Sequence, residues 1–297
     1  MKPIRLRSAL LGAVVVAAAG TLSASLSFAA GDTSIAKLSK ETHFHGIAVD
    51  PADSTRLFLA THHGLYLTGT DGKAQLLSEV RDYMGFTAHP TDASILFASG
   101  HPAGGGNLGF ITSKDGGRTW TKLSDGVGGP VDFHQMDVSK ADPRVIYGIY
   151  ESLQRSDDGG RTWKKVGAPP TGIIGLAASS SGVNTLYAAT ESGIQRSTDG
   201  GKTWKKESDQ IATMVHVAAD GTVYAFMIGQ GLVRATEKNL AWRVVSGGFK
   251  DEYLLHFAVD PRDPKRLYAV KSNPKTRTQS VIASRDGGEH WAPVGPE

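Results

Sequence analysis

The chain carries ten histidines and five methionines and no cysteine, and the histidines and methionines fall into short spaced pairs. His43 and His45 are two apart, as are His134 and Met136, and Met214 and His216. Residues two apart on a strand project to the same side. Imidazole with thioether suits copper, above all Cu(I), and imidazole with carboxylate suits zinc or iron. The candidate ligands are His43, His45, His62, His101, His134, Met84 and Met136, with Glu151 or Glu191 as further donors. Their use depends on what brings such distant positions together.

That framework is an internal repeat. Ser113–Trp120, Ser156–Trp163, Ser197–Trp204 and Ser284–Trp291 share the pattern Ser-x-Asp-Gly-Gly-x-x-Trp, with Thr before the Trp in the first three. Ala235–Trp242 keeps the Trp, and Gly69–Leu76 keeps the Asp and one Gly. All five tryptophans end a copy. The Gly pair permits a tight turn with positive φ. The Asp and Ser side chains can hold nearby backbone N–H groups. The Trp is expected to bury its ring against the following unit. Asp115, Trp120, Asp158, Trp163, Asp199, Trp204, Asp286 and Trp291 are therefore structural residues of the turn.

Each unit reads as four strands. An apolar strand such as His45–Val49 leads through a Pro turn (Asp50-Pro51, His89-Pro90, Asp260-Pro261) into a second strand with a central aromatic. A third strand enters the repeat turn and a fourth leaves it. Six such units at a period in the low forties predict an all-β, six-bladed β-propeller over residues 31–297. No helical periodicity is evident after the first 30 residues, and residues 34–39 are expected to add an outer strand that closes the ring. One face, the top, carries the starts of the innermost strands and the ends of the second strands. Aligned by unit, His45, Met84 and His134 are equivalent there, with His216 and His256 one residue later. His62, His101, Glu151 and Glu191 are equivalent at the second-strand ends. His89 and His290 fall at the bottom.

Residues 1–30 carry Lys2, Arg5 and Arg7, then the apolar run Ala9–Ala19, then Ser27-Phe28-Ala29. This predicts a cleaved secretory signal and a periplasmic or extracellular protein without a membrane span after cleavage. The formal net charge of +3 comes from 32 basic and 29 acidic residues. The leader holds three of the basic residues, so the remainder is near neutral and nucleic acid is not an expected partner. A monomer is expected.

The repeat resembles the Asp-box of the sialidase-type BNR family. The same box occurs in photosystem assembly factors, sortilin-type receptors and bacterial proteins labelled glycosyl hydrolases. The resemblance covers nearly all of the chain after the leader and implies the propeller fold; function lives in sites grafted on it. Sialidase chemistry does not carry over. Where that family has an Arg-Ile-Pro motif before the first blade, this chain reads His43-Phe44-His45-Gly46. Arg56, Arg144, Arg155, Arg196, Arg234 and Arg266 fall at the bottom, leaving Arg81 and Arg277 to reach the top.

Three functions remain open at this point. The first is a binding module with a His/Met/Glu metal site for copper or zinc in the top funnel. The second is a glycoside hydrolase acting on a glycan through a carboxylate pair among Asp82, Asp132, Glu151, Glu191, Asp251 and Glu252, with Glu151, Glu191 and Asp132 the leading candidates. The third is a protein-binding scaffold that presents Tyr83, Tyr150 and Tyr253 on the top rim.

Overall fold

A computed structural model describes residues 32–295. Six sheets follow one another in sequence, each with its innermost strand first. The innermost strands are Phe44–Val49, Met84–Ala88, Gln135–Val138, Ile173–Ala178, Ala212–Val217 and Tyr253–Val259. Each packs against the innermost strand of the next blade, and that of the first against that of the sixth. The molecule is a six-bladed β-propeller, as the repeat predicts.

The repeat turn accounts for the blade order. In blade 3, Ser156 Oγ accepts from Gly160 N at 2.8 Å and donates to Asp158 Oδ1 at 2.8 Å. Asp158 Oδ1 also accepts from Arg161 N and Thr162 N, and Oδ2 accepts from Thr162 Oγ1 at 2.6 Å. The turns beginning at Ser113, Ser197 and Ser284 repeat the pattern. The second Gly of each box is in the left-handed region, where a side chain is strained. A Cβ on Gly160 would lie 2.0 Å from the Phe110 ring of blade 2, and one on Gly201 would lie 2.0 Å from Leu153 of blade 3. The box therefore docks its blade onto the preceding one.

The tryptophans follow the same direction, which corrects the expectation that they pack on the following unit. The Trp163 ring lies 5.2 Å from the Phe110 ring of blade 2 and 4.8 Å from that of Phe133, which leads into blade 3. The aromatic run continues to Phe97, 5.5 Å from Phe110.

The N-terminal segment also departs from expectation. Asp32–Ser34 does form an outer strand, paired antiparallel with Lys73–Gln75 of blade 1. Residues Ile35–Glu41 are a helix. Ser34 caps it by accepting from Lys37 N at 3.2 Å, the usual role of an N-cap Ser. Seven residues are too few for the periodicity to stand out in sequence. Ile35 and Leu38 are buried among Phe44, Val281 and Val294, so the helix wedges between blades 1 and 6. Across that seam, Gln279 Oε1 accepts from Phe44 N at 2.7 Å, and the Arg262 guanidinium donates to Pro51 O. The predicted signal segment lies outside the described residues.

The innermost strands surround a central cavity of about 240 Å³. His45, His134 and His256 border its upper part, and Pro51, Pro90 and Pro261 mark its lower end.

Candidate functional site: a histidine and aspartate funnel

Three consecutive blades open with the same local device. His43-Phe44-His45, Asp82-Tyr83-Met84 and Asp132-Phe133-His134 occupy equivalent positions, fixed by the pairings Val49↔Leu57, Ala88↔Leu96 and Val138↔Ile146. The central aromatics are at most 1% exposed. Burying them is the largest local gain, and it leaves the flanking residues as the ones available at the top. In blade 1 a β-bulge at His45 lets two residues oppose one across the ladder. Bulges re-aim side chains in this way beside functional sites.

The ends of the second strands supply the partners. His62 and His101 stand five residues beyond the equivalent Leu57 and Leu96. Each reaches across to the Asp that opens the next blade. His62 Nδ1 lies 2.8 Å from Asp82 Oδ2, and His101 Nε2 lies 3.1 Å from Asp132 Oδ2. The backbone fixes both aspartates. Asp82 N donates to His101 O at 3.2 Å, and Phe133 N donates to Ser99 Oγ at 3.0 Å.

Two groups of ligand-type atoms result. In the first, His45, His62 and Asp82 bring one nitrogen or oxygen each within 4.8 Å of one another; in the second, His101, Asp132 and His134 do the same. The rings of His45 and His62 are 4.2 Å apart, edge to face, and His43 lies 5.8 Å from His62. His45 Nε2 and Asp82 Oδ1 are buried, lack hydrogen-bond partners and lie 3.7 Å apart. In the second group, His134 Nε2 lies 2.6 Å from Asp132 Oδ2, while Asp132 Oδ1 is buried and unpartnered.

Burial, and then the neighbouring rings of His62, His256, His43 and His134, push His45 down to about 3. Its ring is therefore neutral near pH 7, with a lone pair free for a cation. The hydrogen bond that His134 donates to Asp132 instead raises His134, and Asp82 adds to the rise. The two groups thus lie within each other's electrostatic reach.

The other candidates separate from these groups. Met84 holds the position equivalent to His45 and His134, between them, and is buried. Met136 sits two residues further in, packed with Phe97, Val131 and Phe133 in the apolar core. Glu151 and Glu191 are exposed at the second-strand ends of blades 3 and 4, where blades 1 and 2 have His62 and His101. Asp132, expected as a glycosidase carboxylate, is engaged by two histidines. Tyr83, expected on the rim, is 0% exposed, because its ring packs 5.0 Å from Trp120. The Arg81 guanidinium pairs with Glu79.

His256 Nε2 bonds Phe44 O at 3.1 Å, a framework role across the seam. His216 is two residues lower than expected, level with Asp137 in the cavity wall. The bottom residues keep to their turns: His89 Nδ1 accepts from Asp92 N at 3.0 Å, and His290 takes the place of Thr in its box, bonding Asp286 Oδ2 at 2.7 Å. Asp286, Glu289 and His290 are all exposed, and Asp286 is consumed by the turn.

Asp82 and Asp132, expected at the top only as glycosidase carboxylates, are the ligand-type residues that sequence reasoning missed. The signal was present: an Asp two residues ahead of the aligned Met84 and His134, where blade 1 has His43.

Residues 154–165 and 195–206 match the BNR/Asp-box repeat. No curated protein matches the chain. Among solved structures, the GH74 xyloglucanase from Xanthomonas campestris aligns with a TM-score of 0.55 at 21% identity, over 89% of this chain and 46% of that one. The GH74 enzyme of Niastella koreensis gives 0.56 at 18% identity, over 85% and 45%. A structure of YCF48 bound to D1 peptide gives 0.53 at 16% identity, over 85% and 82%. The chain spans less than half the length of these GH74 proteins. At such identities the likeness is one of fold, and the class it defines is a β-propeller that carries BNR/Asp-box repeats at residues 154–165 and 195–206.

Proposed function

We propose that the protein is a binding module that holds a first-row transition-metal ion, copper or zinc, at the top of the funnel between blades 1 and 2. The observation that carries this reading is the pair of buried, unpartnered atoms His45 Nε2 and Asp82 Oδ1, facing each other at 3.7 Å beside His62. That separation is too long for a hydrogen bond. It suits two ligands of one ion, each at roughly 2.0–2.2 Å from it. Leaving both atoms desolvated and unpaired is otherwise costly. The donors are imidazole and carboxylate, which favour Zn(II) or Cu(II); Met84, level with the histidines, is the thioether nearest in register for a softer Cu(I). The leader-like first 30 residues support a periplasmic or extracellular setting for this function.

The test is elemental analysis of protein purified without a histidine tag, loaded with Zn(II) or Cu(II) and dialysed. Asp82→Asn should release the ion held by His45 and His62. Metal content unchanged from wild type would overturn the reading.

A glycan or a peptide is the competing occupant of this face. The GH74 and YCF48 likenesses are its main support, and nothing among the described residues of the funnel favours either as directly.

A further inference from the structure

The five histidines of the funnel do not form one ligand sphere. Four of them, His45, His62, His101 and His134, divide between two aspartates on successive blade boundaries, and His43 stands beside His62. We infer that the top face binds a second metal ion, at His101, Asp132 and His134, beside the first; this inference rests on the metal-binding reading above.

Four observations point to it. The first is the repeated geometry: a second-strand histidine of one blade meets the opening Asp of the next at both boundaries, His62 to Asp82 and His101 to Asp132. The third ligand differs in origin, His45 coming from the earlier blade of its pair and His134 from the later one. At the next boundary blade 3 has Glu151 where the His would stand and blade 4 has Gly172 where the Asp would stand, so the device occurs at two boundaries and then ends.

The second is the His101 ring. Its Nδ1 lies 2.8 Å from Gly106 O and its Nε2 lies 3.1 Å from Asp132 Oδ2. Both nitrogens face acceptors. With Nδ1–H held by the carbonyl, Nε2 presents a lone pair to a cation. This is the outer-shell arrangement that orients metal-bound histidines.

The third is Asp132 itself. It is 4% exposed, and its Oδ1 accepts no hydrogen bond. Both imidazole nitrogens meet Oδ2, and a divalent ion would supply the partner that the buried Oδ1 lacks. The fourth is how Asp132 is held. Ser99 Oγ donates to Val131 O and accepts from Phe133 N, clamping the residues on either side at 3.0 Å each.

The ligand class is a divalent first-row ion with two imidazoles and one carboxylate, leaving positions open for water or a small ligand. The experiment is Zn(II) stoichiometry by elemental mass spectrometry on the dialysed, untagged protein and on Asp82→Asn, Asp132→Asn and the double variant. Thermal melting of each confirms that it is folded, and His101→Gln serves as a second route to the same site. Two ions in wild type, one in each single variant and none in the double would support the inference. One ion in wild type that is lost in Asp82→Asn and kept in Asp132→Asn would overturn the second site and leave the first. One ion lost in either single variant would mean a single shared ion, which also overturns it. No retained ion in wild type would overturn both readings.

Discussion

Asp82 and Asp132 occupy the same position in successive blades, and each takes the ring of the histidine that ends the second strand of the blade before, at 2.8 and 3.1 Å. The relation crosses the blade boundary. It joins three blades at the top, as the Asp-boxes join neighbouring blades at the bottom. Consequences that bear on the framework as well as the site follow from this arrangement.

Phe133 separates Asp132 from His134 and is 0% exposed, packed against Trp163 and under Gly148. Phe133→Ala should cost about 3–5 kcal/mol and loosen both flanking ligands. Chemical denaturation together with metal content checks this. A loss below 1 kcal/mol would show that the aromatic is not the anchor of the segment.

Gly201 has φ of 93°, and a Cβ there would meet Leu153 Cδ2 at 2.0 Å. Gly201→Ala should destabilise the propeller by about 1–3 kcal/mol. Gly104 has nothing within 4 Å of a built Cβ, so Gly104→Ala should stay within about 0.5 kcal/mol of wild type. Equal effects of the two would contradict the blade-docking role of the box.

His216 is pushed down to about 3 by burial, with Lys140 adding to the fall and Asp137 opposing it. His256 is pushed down to about 4 by burial, against the Phe44 carbonyl. Both folded values lie below the ordinary 6.5, so the unfolded chain binds more protons in between. The stability linked to the neutral rings is complete above about pH 6.5 and is lost as pH falls through that range toward 4 and 3. Each ring should cost about 1.4 kcal/mol per pH unit there. Tm measured from pH 7.5 to 4.5 should fall, and less steeply in His256→Gln. A flat profile in wild type would rule this out.

Glu151 and Glu191 should contribute nothing to metal retention, being exposed at the second-strand ends of blades 3 and 4 and outside both ligand groups. Glu151→Gln and Glu191→Gln should match wild type in metal content and show no hydrolysis of aryl-glycosides. A wild-type hydrolysis that either variant abolishes would favour the glycosidase reading instead.

The blades were legible in the sequence because Gly-Gly and Trp at the end of each box are demanded by turn geometry and by packing, and such demands repeat. The histidines of the top were legible for the same reason, since alignment on the boxes carries position with it. Asp82 was not legible as a ligand, because an Asp before an aromatic in a connecting loop looks like any solvated loop charge until the next blade brings His62 onto it. His216 was misplaced because the turn from Val217 to Val223 is two residues shorter than that from Val49 to Leu57, so counting along the unit slipped by that amount. The direction of Trp packing depends on how neighbouring blades lean, which no single repeat encodes.

Each blade takes its strands, five in blade 1 and four in the others, from one continuous stretch, and the seam between blades 6 and 1 is closed by a short helix and by side-chain contacts. Among the described residues no strand from one end of the chain completes a blade built by the other. In mechanical terms the ring is a split washer. Ions held across the first two blade boundaries would brace the arc that starts one blade from the split and leave the split itself as the line along which the ring first opens.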